Sequence, residues 1–293
     1  VTTAGTILDR ANQLLLAGVV EERNKLAVSC DASTTSITVS YTLGSLRENT
    51  IFEIGSEMMF VWEANTTSKT LTVERGYGGT TPAAHTAGDI VTINPRFPRS
   101  QMLTALNAEA TDLSSPLNGL YQMKTVDLSY NGSDRMIDLT GVTSMLDLYD
   151  VRYRYRGSDY PIVRNIRLLR DMPTTDFASG IVLAFDTYVR SGAIRVIYKA
   201  PYGTLATETS VLSTAGIGTE IEDLLVLGVQ IRMVAGREVK RNFTESQGDT
   251  RRSDEVPAGS VNNSINNLLR LRRDRIIAEA ARLARQYPLR FRK

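Results

Sequence analysis

The sequence predicts an α+β fold, mainly antiparallel β, with a small sheet or barrel followed by a β-sandwich, flanking helices and a C-terminal helical arm. Three observations predict it. Two blocks of apolar residues alternate with polar ones at period 2, the signature of half-buried strands. The period then changes to a helical one from Thr219. Last, a polar stretch leads into a long, strongly basic helical pattern that Pro288 ends.

The opening segment reads as a helix. Thr6 with Asp9 has capping-box spacing, and Ile7, Ala11, Leu14, Leu15 and Gly18 share a face. In the first β block Ile37, Val39 and Tyr41 alternate with Thr38 and Ser40, Phe60 and Trp62 with Val61, and Leu71 and Val73 with Thr72; Val91 and Ile93 close the set. A short helix over 100–112 carries Met102, Leu103, Leu106 and Ala110, and Pro116 and Gly119 mark a boundary.

The second β block has six expected strands: Tyr121–Leu128, Met136–Leu139, Met145–Arg156, Ile162–Leu169, Ile181–Phe185 and Ile194–Tyr198. Thr219 with Glu222 predicts a capped helix running to about Lys240, its stripe formed by Ile221, Leu224, Leu225, Gly228, Ile231 and Ala235. The expected organisation is 1–115 for the first helix, small β domain and connecting helix, 116–213 for the sandwich, 214–241 for a helix, 242–259 for a linker and 260–293 for the basic arm.

With 42% hydrophobic and 23% charged residues the chain can bury a core. Its net charge of +2 is unevenly placed: residues 260–293 hold nine basic and two acidic groups, a local +7, and the rest carries −5. Such a cationic arm suits an anionic partner. Cys30 is alone, which excludes an intrachain disulfide or a cysteine metal cluster. No apolar run reaches membrane-span length, and Asp9, Arg10 and Asn12 interrupt any signal-peptide core. The chain is expected to be made and assembled in cytoplasm, with no membrane partner.

Motifs of chemistry are missing. His85 is the one histidine, so a metal site cannot use a pair of imidazoles and a triad has one possible base; it reads as a turn or packing residue. Gly76, Gly78 and Gly79 imitate a phosphate loop, but Thr80, Thr81 and Pro82 lead to another strand and not to a helix; a hairpin turn is expected. Asp147 and Asp150 should face opposite sides of a strand, solvated, and Glu222 serves as a cap. The expectation is no enzyme, with no catalytic residue, metal, cofactor or small-molecule substrate.

Two basic features point to assembly. Arg152, Arg154 and Arg156 share one strand face opposite Val151, Tyr153 and Tyr155, so an arginine row faces a subunit interface or DNA, unless the strand is simply amphipathic with its tyrosines in the core. In the last helix Val261, Ile265, Leu268, Leu269, Ile276, Ala280, Leu283 and Tyr287 form a broken stripe. Arg270, Arg272, Arg273, Arg275, Arg282 and Arg285 fill the remainder, against only Asp274 and Glu279. Leu268, Leu269, Ile276 and Leu283 with those arginines are the candidate docking surface, a solvated charged face being the bland alternative.

The stretch Leu71–Val91 resembles a strand–turn–strand of tailed-bacteriophage virion proteins, V-x-R-G-x-x-G-T-x-A-A-x-H-x-x-G-x-x-V, found in tail and head–tail joining proteins. Arg75, Gly76, Gly79, Thr80, Ala83, Ala84, His85, Gly88 and Val91 lie on it with small adjustments of spacing, and Pro82 departs from it. The resemblance implies a virion protein; with the basic arm, it is similar to what a head–tail connector (neck adaptor) needs. It implies a homo-oligomeric ring joining portal protein to tail or other neck proteins, with packaged DNA as a further contact. A tail-tube or baseplate subunit, a carbohydrate-binding β-sandwich of a tail fibre and a glycosidase remain open. Trp62 as the single tryptophan and the lack of a distinguished carboxylate pair speak against the last two.

Overall fold

A computed structural model describes residues 1–142, 144–154, 160–186, 189, 191–245 and 260–288, and the side chains of all of these but 236–245 and 260–262. It is α+β, with antiparallel strands and four α-helices among the described residues. The chain divides into two compact units, Val1–Ala110 with Thr204–Arg275, and Thr111–Gly203 with the chain from Ile276 onward. The expected boundary after residue 115 thus falls a few residues earlier, inside a helix.

In the first unit, strands β1 (Arg23–Lys25), β2 (Ser36–Thr38), β3 (Ile51–Ile54), β4 (Glu57–Asn65), β5 (Thr70–Glu74) and β6 (Ile90–Ile93) form one sheet in the order β1-β6-β3-β4-β5-β2. Its edges approach through a Leu26–Val39 bridge, with Ala27 N–H donating to Thr38 O and Ser40 N–H to Lys25 O, each at 2.8 Å. The sheet therefore curls into a half-barrel. Alternate residues point inward, so Ile37, Phe52, Ile54, Met59, Val61, Leu71, Val73, Val91 and Ile93 make its core. The expected hairpin at Gly76–Gly79 is corrected. Strands β5 and β6 are not neighbours; residues 75–89 cross over β3 and β4, with a 3-10 turn at Tyr77–Gly79.

Helix α1 (Ala4–Leu16) buries Ala4, Ile7, Leu8 and Ala11. Its cap is Thr3, whose hydroxyl accepts from Thr6 N–H, and not the expected Thr6. Helix α2 (Arg99–Leu113) leaves the barrel, and α3 (Glu222–Glu245) packs against α1. Residues 219–221 form a 3-10 turn with no side-chain cap, so Glu222 accepts from Arg10 instead of capping. Residues 242–245, expected as linker, continue α3; 246–259 lie outside the described residues. Helix α4 runs from Ser260 to Gln286.

The second unit holds two three-stranded antiparallel sheets. One orders β7 (Gln122–Tyr130), β12 (Gly192–Ala200) and β9 (Asp147–Tyr153) as β7-β12-β9; the other orders β8 (Met136–Asp138), β10 (Ile166–Leu169) and β11 (Val182–Phe185) as β10-β11-β8. Leu139, Leu148, Val151, Leu183, Phe185, Ile194 and Val196, contributed by both sheets and their connections, form its core.

Candidate functional site

The stretch Leu71–Val91 is organised by one buried carboxylate. Glu57 occupies an inward position of β4, in phase with Met59 and Val61, where an apolar residue belongs. It is tolerable there because it is fully hydrogen-bonded. Arg75 grips it with Nε–Oε1 at 2.7 Å and Nη2–Oε2 at 2.8 Å. Gly76 N–H, Ala83 N–H and His85 Nε2 complete the set at 3.2, 2.9 and 2.8 Å. The remaining donors of Arg75 go to the carbonyls of Asp31, Thr34 and Ala83.

Burial alone would raise the Glu57 pKa, but the hydrogen bonds from Arg75, His85 and Ala83 win and hold it down to about 2. Gly76 sits at φ 66°, and a Cβ there would come within 2.7 Å of Thr80 O. Thr80 Oγ1 in turn accepts from Met58 N–H and donates to Tyr77 O, both at 3.0 Å. Gly79 and Gly88 also hold positive φ. Arg75, Gly76, Thr80 and His85 thus brace the crossover, and the His85 ring is spent on a structural carboxylate.

In the arginine row of β9, Arg152 is neutralised. Arg152 bonds Asp150 at 2.9 Å, and its cross-strand neighbour Arg195 pairs with Asp127 at 2.7 Å and lies 4.6 Å over the Tyr160 ring. Arg154 continues the row, its N–H bonded to Ala193 O; Arg156 lies outside the described residues. The expected opposition of Asp147 and Asp150 is corrected. A bulge opposite Ile197/Tyr198 inserts Tyr149 as an extra residue, which puts both carboxylates on one face. Asp147 is exposed and Asp150 is buried, so only the former is solvated.

Helix α4 is divided between spent and open positions. Ile276 and Leu283 are buried within the chain, and Leu268 is half-buried. Arg272 pairs at 2.6 Å with Glu109, a buried carboxylate that also takes Arg232 at 3.2 Å. Gly228 makes room for Glu109, since a Cβ there would collide with its carboxyl carbon. Arg275 donates to Glu220 O, and Arg282 is held by Glu279. Leu269, Arg270, Arg273 and Arg285 remain exposed. The expected stripe of Leu268, Leu269, Ile276 and Leu283 is therefore not one open surface: its second half already packs within the chain.

Two features were not read from the sequence. One is a strip on the outer face of β4, where the Phe60 ring lies 4.9 Å from Trp62 and 5.3 Å from Tyr77; Trp62 is 59% exposed. Its signal was present, since Phe60 and Trp62 alternate with the inward Met59 and Val61.

The other is a cleft of about 620 Å³ beside α1, lined by Asp9, Asn12, Arg23, Glu53, Arg99 and Glu208 together with Leu16, Ile54 and Ile90. Arg99 joins Asp9 at 2.7 Å and Glu208 at 2.6 Å, and its N–H, at the start of α2, donates to Glu53 at 2.9 Å. Burial pushes Glu53 up to about 7, against the pull of the Arg99 N–H and guanidinium. Chemically the cleft can hold a proton and accept hydrogen bonds. No hydroxyl or thiol nucleophile is bonded to His85 among the described residues.

The raised Glu53 pKa has a measurable consequence. Its proton is retained on folding, so its contribution is fully present below about 4.5, the unfolded value, and is lost as pH rises through about 7. Glu53→Gln keeps the acceptor for Arg99 N–H and removes the charge. It should stabilise the first unit by about 2 kcal/mol at pH 8 and by little at pH 4.5, measured by urea unfolding at both values.

Among the described residues no group of three or more His, Cys, Asp or Glu is placed to hold a metal ion, and no helix is long and apolar enough to cross a membrane. No protein-family model matches the chain and no curated protein matches it.

Proposed function

We propose that the chain is a structural subunit of a tailed-phage head–tail connector, a neck adaptor that forms a ring joining portal to tail and acts through its surfaces. The observation that carries this reading is the fate of the phage-like stretch. Its arginine, glycines and histidine are consumed in bracing a barrel crossover around Glu57, so the motif's role is architectural. What the chain leaves open is suited to association: an aromatic strip on β4 and an apolar, arginine-rich face on α4. The pairing of Arg152 with Asp150 favours a protein-facing or intrachain role over DNA contact for that arginine, because a guanidinium neutralised by a neighbouring carboxylate has less charge to offer phosphate.

Imaging of purified virions with a label on this chain tests the reading. Density at the portal–tail junction, with the copy number of a single ring, is the expected result. Copies tiling the length of the tail, or confined to a baseplate, overturn it. The chain should also show no turnover on nucleotides, peptides, peptidoglycan or polysaccharides. Turnover that disappears in Glu53→Gln would make the cleft an active site and defeat the non-enzymatic reading.

A further inference from the structure

We infer that the exposed face of α4 in one copy docks on the aromatic strip of β4 in the next, a head-to-tail contact between identical chains. The inference deepens the connector reading and rests on it only for where the contact is used.

The two surfaces are complementary in chemistry. On the outer face of the half-barrel, Phe60, Trp62 and Tyr77 form a continuous aromatic surface. Register places carboxylates on either side of it: Glu74 lies directly across from Phe60, and Glu63 lies across from the outward Thr72. Both glutamates are exposed, and neither has an ion-pair partner among the described residues. On α4, Leu269, Arg273 and Ile277 recur at four-residue spacing and so line one face, with Arg270 beside them. Leu269 is 44% and Ile277 58% exposed, and Arg270 and Arg273 likewise have no ion-pair partner among the described residues.

Apolar side chains flanked by guanidinium groups therefore match aromatic rings flanked by carboxylates. Arginine over Trp or Tyr gains a cation–π contact as well as the ion pair, and aromatic–arginine pairs are the residue types that dominate interface energetics. A second copy is the occupant because each chain carries both halves, and Trp62 on one and Leu269 and Ile277 on the other are exposed in the single chain. Since the two patches differ, each contact leaves one strip and one helix face free, so the step repeats until it closes. A ring results where the rotation closes.

Charge reversal on either side tests the contact. Wild-type chain should associate with rising concentration in sedimentation equilibrium. Glu63→Lys with Glu74→Lys, or Arg270→Glu with Arg273→Glu, should each weaken association at least about tenfold, because like charges then face each other. Mixing the two variants should restore it, since every contact in the mixture can pair opposite charges. Wild type that stays monomeric, or association that neither reversal disturbs, overturns the inference.

Trp62→Cys combined with Leu269→Cys supplies a second readout. Mild oxidation should give a ladder of covalent multimers, and neither single substitution should do so. Covalent dimers alone would indicate a symmetric pairing and overturn the head-to-tail contact. Failure of the connector reading is separable. A chain that associates as described but lies elsewhere in the virion removes the connector and leaves the contact. A chain at the neck whose association ignores both reversals removes the contact alone.

Discussion

Glu57→Ala should cost the first unit about 3–5 kcal/mol and leave it largely unfolded under mild conditions. Removing one partner of a buried ion pair strands the other charge away from water, and that penalty exceeds the value of the bond itself. Here the stranded group is Arg75, whose side chain is 6% exposed and whose grip on Glu57 would be replaced by an empty site. The same substitution leaves the N–H groups of Gly76 and Ala83 without their acceptor, so the crossover from β5 to β6 loses its brace.

The wild type should show this dependence in acid. The folded pKa of Glu57 lies at about 2, below the ordinary 4.5, so its contribution is complete above 4.5 and is lost as pH falls toward 2. That difference corresponds to about 3 kcal/mol at neutral pH. Trp62, the single tryptophan, stands on β4 two strand positions beyond Phe60, and its fluorescence reports this unit without contribution from the other. Urea unfolding followed at Trp62 between pH 7 and pH 3 should show a falling midpoint in wild type. A Glu57→Ala variant as stable as wild type at pH 7 would show that the node is not what holds the crossover.

Strand existence was legible in the sequence, and strand pairing was not. Alternation is a local property: Leu71 and Val73 announce β5, and Val91 and Ile93 announce β6, because side chains two apart share a face. Which strands meet depends on contacts distant in sequence, so the segment between them read as a hairpin although it crosses two strands. Glu57 was readable in principle as a carboxylate in the inward phase of β4, but its partners Arg75, Ala83 and His85 come together only through the crossover. The bulge at Tyr149 defeated the face assignment of Asp147 and Asp150 because one inserted residue inverts every later side chain. In α4 the composition showed a basic amphipathic helix, while the division of its positions between Glu109, the chain's interior and solvent depends on what packs beside it.

That division makes opposite predictions for two leucines of the same helix. Leu283 is 6% exposed, so Leu283→Ala should cost about 2–5 kcal/mol, the sum of lost transfer energy and the cavity left behind. Leu269 is 44% exposed, and Leu269→Ala in the free chain should change stability by no more than about 0.5 kcal/mol. Backbone hydrogen exchange over the second half of α4 is the suitable measurement, because it reads the opening of this element separately from global unfolding. Protection there should be strong in wild type and in Leu269→Ala, and should fall by orders of magnitude in Leu283→Ala. Deleting the chain after Gly259 would remove Ile276 and Leu283 from buried positions as well as the open face of α4, so a truncated protein would confound loss of docking with loss of packing. Substitutions at Leu269 and Arg273 avoid that ambiguity. If the second half of α4 instead exchanges as fast as free peptide in the isolated wild-type chain, its docking on the body is too weak to persist in solution. The burial of Ile276 and Leu283 would then need a partner to maintain it.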